Sequence, residues 1–420
     1  MSTMNLNLQM PSELRQDQGS FLSGGEPLVF HCHHYNIALQ QAIEECLPEG
    51  YARLLTDAAT EVVTPQVAAV LACNPQLGSF AERLGAAAEI SRRLGFGLIE
   101  LHGDERGGTA HMARSHYSYG WRSKYSRREV PTCWFHTGFA AAAFAAAAGL
   151  PAGSFEAVET DCAAVASDRC GFTIRRCQPP RALPLSVGEG RPPQVPAPPS
   201  GPTGNIDARA IIDAVRKLPI EGNEEGLIPV FGVYLTRHYA NYYNRVCYDF
   251  ERQVSEQHPS LVEPVRLALI EAGHRCAFNT FGGIAQSVEW EALIQPMCRD
   301  KTDWFHGVVA CVNAFGWGCW RTIELVPSER VVVEVYGSYE SNGRLAMYGN
   351  SARGSCFLHM GGVAGLMNLL WVGDLTQRPT LDAAYYAQIY SQPESFACDE
   401  VTCRSRGDDR CTFVATRKRF

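Results

Sequence analysis

The sequence predicts an α+β protein built from two tandem copies of one domain, each a helix-covered antiparallel sheet. Three observations carry this. A proline-rich divide lies near mid-chain, four blocks recur in one order on either side of it, and both halves share one succession of helices, β-meander, small-residue helix and closing hairpin. The 420 residues, 46% of them hydrophobic, suffice for two or three real cores. That excludes a disordered chain, a collagen-like fibre and a small disulfide scaffold.

Residues 1–25 lack the basic segment and apolar run of a signal peptide and are expected to be disordered. The first domain is expected over 26–177. It opens with a strand at Pro27-Leu28-Val29-Phe30, continues with helices over Ile37–Thr60 and Gln66–Leu94, and then a meander holding Leu98–Leu101. A small-residue helix starts near Cys133, and a hairpin turns at Ser167-Asp168. Residues 178–204 form an extended linker outside any packed core, with nine of the chain's 24 prolines, including Pro192-Pro193 and Pro198-Pro199.

The second domain, 205–420, repeats the first. Pro229-Val230-Phe231 matches the opening strand, and Gly316-Trp317-Gly318 with Ile323-Glu324-Leu325 matches Gly95-Phe96-Gly97 with Ile99-Glu100-Leu101. Cys356-x-x-His359-x-Gly361 matches Cys133-x-x-His136-x-Gly138. The close, Glu400-x-x-Cys403-x7-Cys411-x-Phe413, matches Glu159-x-x-Cys162-x7-Cys170-x-Phe172. The β-branched run Val331–Val335 belongs to the second meander, and an insertion around Thr376–Ser395 lengthens this copy.

The uncharged stretch from Val130 to Phe155 is too alanine-rich to span a membrane and is stopped by Gly149-Leu150-Pro151, so it reads as a buried helix. Net charge is −7 with a pI near 6.0, so no basic field draws nucleic acid or anionic lipid, and Arg417-Lys418-Arg419 is too short to supply one. A cytoplasmic location is expected. There the sixteen cysteines stay reduced and favour metal ligation over disulfides.

Two cysteines across a tight hairpin bring their sulfurs together, and a preceding Glu with a helix-start cysteine completes four ligands. Three thiolates and one carboxylate suit tetrahedral zinc, and a site without an open position is structural. The alternative is ordinary buried cysteines. Glu159 and Cys162 have opposite parity on a strand, so a bulge or strand end is needed to aim both inward.

The pattern Cys-Trp-x-x-x-Gly, small-residue helix, Glu-x-x-Cys-x7-Cys resembles the 4-vinyl-reductase domain. That domain occurs in bacteriochlorophyll-pathway proteins and in sensor modules of phenol- and xylene-responsive transcription activators. The resemblance covers the closing part of each half well and the helical front ends poorly. It implies a fold like a TRAPP transport subunit, a helix-covered antiparallel sheet around an apolar cavity. It also implies two zinc sites, Cys133, Glu159, Cys162 and Cys170, and Cys356, Glu400, Cys403 and Cys411. Domains of this type commonly dimerise, which implies a homodimer or an intrachain pseudo-dimer. No Gly-x4-Gly-Lys-[Ser/Thr] phosphate loop follows, so the chain is not expected to be an activator of that class by itself.

Other residues suggest a working site. In His31-Cys32-His33-His34-Tyr35-Asn36, His31 and His33 share a face of an extended backbone. With His111 and His116 they would make a second metal site for iron or copper, the alternative being polar residues at a helix entry. His136 and His359 are either cavity-lining bases or ligands, or buried histidines bonding backbone carbonyls. Trp317 and Trp320 belong to an aromatic-rich second half that suits a flat or apolar molecule, or a plain core. The run Trp121–Arg128 would hold an anion or form a solvated edge.

Familiar hydrolase and dehydrogenase motifs are absent. The first functional reading is a zinc-stabilised binding protein for an apolar or aromatic small molecule, acting as sensor, carrier or pathway accessory. The second is an iron- or copper-dependent oxidative enzyme of a biosynthetic pathway, using the His31–His34 region. The third is an interaction scaffold.

Overall fold

The computed structural model describes residues 8–15, 18–183, 194–390 and 392–418. The first half runs β1 (Ser12–Arg15), β2 (Ser20–Ser23), β3 (Glu26–Cys32), α1 (His33–Cys46), α2 (Tyr51–Ala72), α3 (Phe80–Arg93), β4 (Gly97–Asp104), β5 (Gly107–Ser115), α4 (His116–Lys124), α5 (Trp134–Ala147), β6 (Phe155–Asp161) and β7 (Cys170–Arg176). The second runs α6 (Ala208–Lys217), β8 (Ile228–Val230), β9 (Val233–Tyr239), α7 (Ala240–Gln257), α8 (Val262–Cys276), α9 (Gly282–Ala285), α10 (Val288–Leu293), α11 (Lys301–Val312), β10 (Cys319–Val326), β11 (Arg330–Tyr336), α12 (Tyr339–Tyr348), α13 (Phe357–Met367), α14 (Ala383–Tyr390), β12 (Phe396–Thr402) and β13 (Cys411–Arg417).

Three boundaries correct the sequence reading. Residues 12–15 and 20–23 pair as β1 and β2, so the described part of the N-terminal segment is ordered; residues 1–7, 16 and 17 lie outside the described residues. The helix expected over Ile37–Thr60 is two helices, broken at Leu47-Pro48-Glu49-Gly50. The expected break before Gln66 is absent, because α2 runs through Pro65, its inner face buried against α5. Packing there outweighs the backbone hydrogen bond that proline removes. The start of α3 follows its local signal, with Ser79 and Glu82 forming a reciprocal capping box.

The duplication is visible in the sheets. Strand order is β4-β5-β7-β6 in the first half and β10-β11-β13-β12 in the second, antiparallel throughout. A third sheet, β1-β2-β3-β9-β8, joins the halves. In it β3 pairs antiparallel with β9, Phe30 opposite Arg237 at the centre of the register. Each central residue also donates its N–H to a loop of the other half, Phe30 to the Phe315 carbonyl and Arg237 to the Leu94 carbonyl, both at 2.9 Å. The two copies therefore pair within the chain about a pseudo-two-fold axis.

Helix α5 is buried along nearly all its length, and none of the chain's described helices is long and apolar enough to cross a membrane. Gly138 lets it touch α2, since a Cβ there would lie 2.3 Å from the Thr56 carbonyl oxygen. Gly361 does the same on α13, with a Cβ 2.3 Å from the Ile270 oxygen of α8. The insertion in the second half supplies α14, whose Tyr390 ring lies 5.2 Å from His274 of α8. The described parts of the linker have no helix or strand and no buried residue, and contacts at and just beyond their ends hold them against the surface. Arg181 pairs with Asp57 at 2.6 Å, the Pro199 carbonyl accepts from Arg321 at 3.0 Å, and Asn205 bonds Asp303 at 2.9 Å. Pro192-Pro193 lies outside the described residues.

Candidate metal centres and ligand cleft

Each closing hairpin delivers a Glu and two cysteines to the start of the small-residue helix. Register shifts at Glu159/Asp161 and at Glu400/Thr402, just before β6 and β12 end, turn carboxylate and cysteine to the same side. In the first half the Cys133 and Cys170 sulfurs are 3.4 Å apart, and the Cys133 N–H donates to Glu159 Oε2 at 3.0 Å. In the second, Cys411 Sγ lies 3.7 Å from Cys356 and 3.9 Å from Cys403, and the Cys356 N–H donates to Glu400 Oε2 at 3.2 Å. Sulfurs bound tetrahedrally at about 2.3 Å stand about 3.8 Å apart, and a disulfide needs about 2.05 Å.

Both clusters could hold a metal ion: within each, the four ligand atoms lie within 4.8 Å of one another. The other carboxylate oxygen, Glu159 Oε1 or Glu400 Oε1, is buried without a partner in both copies. Crowding sets the charge balance of each cluster. Burial, with the Cys162 charge beside it, pushes the Glu159 carboxyl up to about 9, and burial drives the Cys133 and Cys356 thiols upward too. A bound cation reverses that penalty and lets all four ionise.

Groups around the sulfurs repeat as well. Ser115 Oγ lies 3.2 Å from Cys133 Sγ, and Ser338 Oγ 3.4 Å from Cys356 Sγ. The N–H groups of Ala163 and Arg404 each donate to the last cysteine at 3.5 Å. The motif reading missed these serines, although Ser115-x-x-Ser118 and Ser338-x-x-Ser341 stand at one spacing before the cysteines. Glu340 was also missed. It accepts from the Leu358 and His359 N–H groups at 3.0 and 3.2 Å, caps α13, and meets His359 Nδ1 at 2.5 Å.

The four histidines offered as a second metal site face different neighbours. His33 begins α1 rather than continuing β3, so it leaves the face that His31 occupies, and its Nδ1 accepts from the Tyr234 N–H at 3.2 Å. His31 crosses into the second half, stacked 5.0 Å from Trp317 with Nε2 3.3 Å from the Tyr339 hydroxyl. His116 Nε2 meets Asn36 at 2.9 Å, and His111 stands in β5 between Glu100 and Gly171. His238 makes the exchange reciprocal, reaching Tyr117 of the first half at 3.0 Å with Phe96 4.8 Å away.

His136 and His359 each place Nε2 2.9 Å from a backbone carbonyl, of Phe96 and of Trp317 respectively. Trp317 binds the halves together, its Nε1 donating to the Phe30 carbonyl at 2.9 Å. Trp320, by contrast, borders a cleft of about 310 Å³ between α6, α11, β10 and the linker residues Ser200–Thr203. The run Trp121–Arg128 folds on itself, with the Arg128 guanidinium 4.2 Å over the Trp121 ring and paired to Glu44 at 2.7 Å.

No family model and no curated protein matches the chain, so the resemblance to the 4-vinyl-reductase domain rests on its motifs alone. Among solved structures, the chain is similar to the phenol-responsive sensory domain of the transcription activator PoxR, solved with phenol. Identity is 14% and the TM-score 0.36, over 41% of this chain and 88% of that one. A likeness at that score leaves fold and ligand to be argued from the chain itself.

Proposed function

We propose that the chain is a binding protein for a small apolar or aromatic molecule, each half stapled by a structural zinc ion. The observation behind the binding reading is the cleft beside Trp320. Its volume, about 310 Å³, suits a small ligand, and Ile212, Val309 and Ala310 among its lining residues give it an apolar wall. For zinc, the support is the donor set, three thiolates and a carboxylate oxygen left without a partner in each cluster. The site would pin each hairpin to its helix in a sensor, carrier or pathway accessory. The four histidines of the oxidative-enzyme reading point to different neighbours, which speaks against a shared iron or copper there.

Plasma mass spectrometry on protein purified without a histidine-rich tag tests the zinc reading. It should find close to two zinc per chain and about one in a Cys170→Ala variant. Zinc well below one per chain would overturn it. Quenching of tryptophan emission by a series of aromatic compounds tests the binding reading, with Trp320→Phe as the control. Quenching that is unchanged in the variant would count against the cleft.

A further inference from the structure

A second cavity, of about 190 Å³, lies against one face of the sheet that joins the halves. In that sheet Leu14 stands opposite Phe21, Phe21 opposite Leu28, and Phe30 opposite Arg237, so these side chains share a face. All of them line the cavity, and Leu218 and Ile220, which follow α6, close it from the other side. Leu14, on the outermost strand, is 45% exposed. The space is that of about six water molecules, room for a short alkyl chain or one aromatic ring.

Into this apolar surround the sheet sets a cation. The Arg237 guanidinium lies 4.7 Å from the Phe21 ring and 4.8 Å from the Phe30 ring. Ring faces attract its charge but accept none of its five N–H donors in the usual way. Among the described residues, none pairs with the guanidinium or accepts a hydrogen bond from it. Nor are its nitrogens sealed off by packed atoms, so its donors open on the cavity and its mouth. Burial pulls the group below its ordinary value, and Glu221, the acid whose charge reaches it, makes no ion pair with it. Arg216 lines the same cavity, its described polar contact a long 3.5 Å one to the Asn313 carbonyl, and no aspartate or glutamate does. Two guanidiniums facing an apolar space without a carboxylate call for an anion from outside the chain.

We propose that this cavity binds a short carboxylic acid as its anion, the carboxylate held by the Arg237 fork and the apolar body lying against Leu28, Leu218 and Ile220. Arg216 adds a second positive charge to the wall. The site goes beyond the binding reading above, with its own cavity and its own ligand chemistry. Its floor takes β3 from the first half and β9 from the second, so the bound acid also braces the junction of the halves.

Matched compounds test both parts of the proposal: hexanoate against hexanol, benzoate against benzyl alcohol, and acetate as a head without a body. Each is titrated calorimetrically into the full chain at pH 7 in low salt. Hexanoate or benzoate should bind tenfold or more tighter than its alcohol and than acetate, and should raise the melting temperature. Arg237→Met, which keeps the stem and removes the charge, should erase the preference for acid over alcohol. Leu218→Trp, which fills the cavity and keeps the cation, should abolish binding of both acids. Neither residue lines the cleft beside Trp320, so these losses would place the acid here. Circular dichroism checks folding, and Leu218→Trp decides the matter if Arg237→Met does not fold. Alcohols binding as well as acids, acetate binding as well as hexanoate, or acids indifferent to the substitutions would each overturn the proposal. So would the absence of acid binding at millimolar concentration. None of these results touches the cleft beside Trp320, which tryptophan quenching tests separately.

Discussion

Glu159 and Glu400 hold one carboxylate oxygen on a backbone N–H and leave the other buried and unpaired, an arrangement that a cation would complete. Glu159→Gln keeps the shape and removes the charge. We expect it to release the first-half metal to a mild chelator while the second-half metal stays, read as one zinc per chain instead of two. Ser118→Ala, which removes a hydroxyl 3.4 Å from Cys170 Sγ, should weaken the same site by about 10–100-fold in a competitive zinc titration.

A second residue-scale prediction concerns Glu26 of β3, which accepts from the Asn241 side chain at the start of α7 at 3.2 Å. Burial raises its carboxyl from 4.5 to about 8, against the pull of the Asn241 hydrogen bonds. Between those values the folded chain holds a proton that the unfolded chain has released. The contribution of this group is therefore full below pH 4.5 and is lost as pH rises through about 8. Glu26→Gln should flatten this slope, gaining about 1–3 kcal/mol over the wild type between pH 5 and pH 8 in urea titrations. Parallel pH profiles for the two proteins would refute it.

Among the elements, the two small-residue helices are where spacing in the sequence carried furthest. The glycine five residues after the helix-start cysteine recurs as Gly138 and Gly361, and in both it meets a neighbouring helix backbone. Alanine at either position would bring a Cβ to 2.3 Å from a carbonyl oxygen, so the gain in helix propensity of about 1 kcal/mol is outweighed. Gly138→Ala and Gly361→Ala should each destabilise by about 1–3 kcal/mol in denaturant titrations. The closing hairpins were equally legible, because Glu-x-x-Cys with opposite parity demands the bulge that is found. The front-end helices were not. Their breaks depend on how α1 and α2 pack against the rest, and Pro65, a local stop signal, is overridden in the middle of α2.

For the whole molecule, the halves are interlocked rather than merely joined. His31 stacks on Trp317 and His238 reaches Tyr117, each across the divide, and Glu61 of α2 binds Arg245 of α7 at 2.5 Å. Arg245 is 1% exposed and also pairs with Asp249 at 2.5 Å. Arg245→Ala should cost about 3–5 kcal/mol by leaving the buried Glu61 without its cation and Asp249 with Arg252 alone, seen as a loss of thermal stability. Residues 1–183 and 194–420, produced separately, should fold only when mixed, because β3 and β9 would each lose their partner strand. Either fragment alone melting cooperatively near the temperature of the full chain would contradict this.

The sequence by itself determined the duplication, the composition of the two Cys/Glu clusters that could hold a metal, and the place of the small-residue helices. Each is a matter of residue identity at a fixed spacing, and local backbone geometry converts spacing directly into proximity. Only the tertiary structure decided what the histidines and tryptophans do. His31 and His33 part company because a helix starts between them, Trp317 joins the halves, and Trp320 packs beside His359 while α6 and α11 border a cleft at the same strand. Those outcomes depend on which surfaces the pseudo-two-fold pairing brings into contact, and the spacing of residues along one chain does not record that.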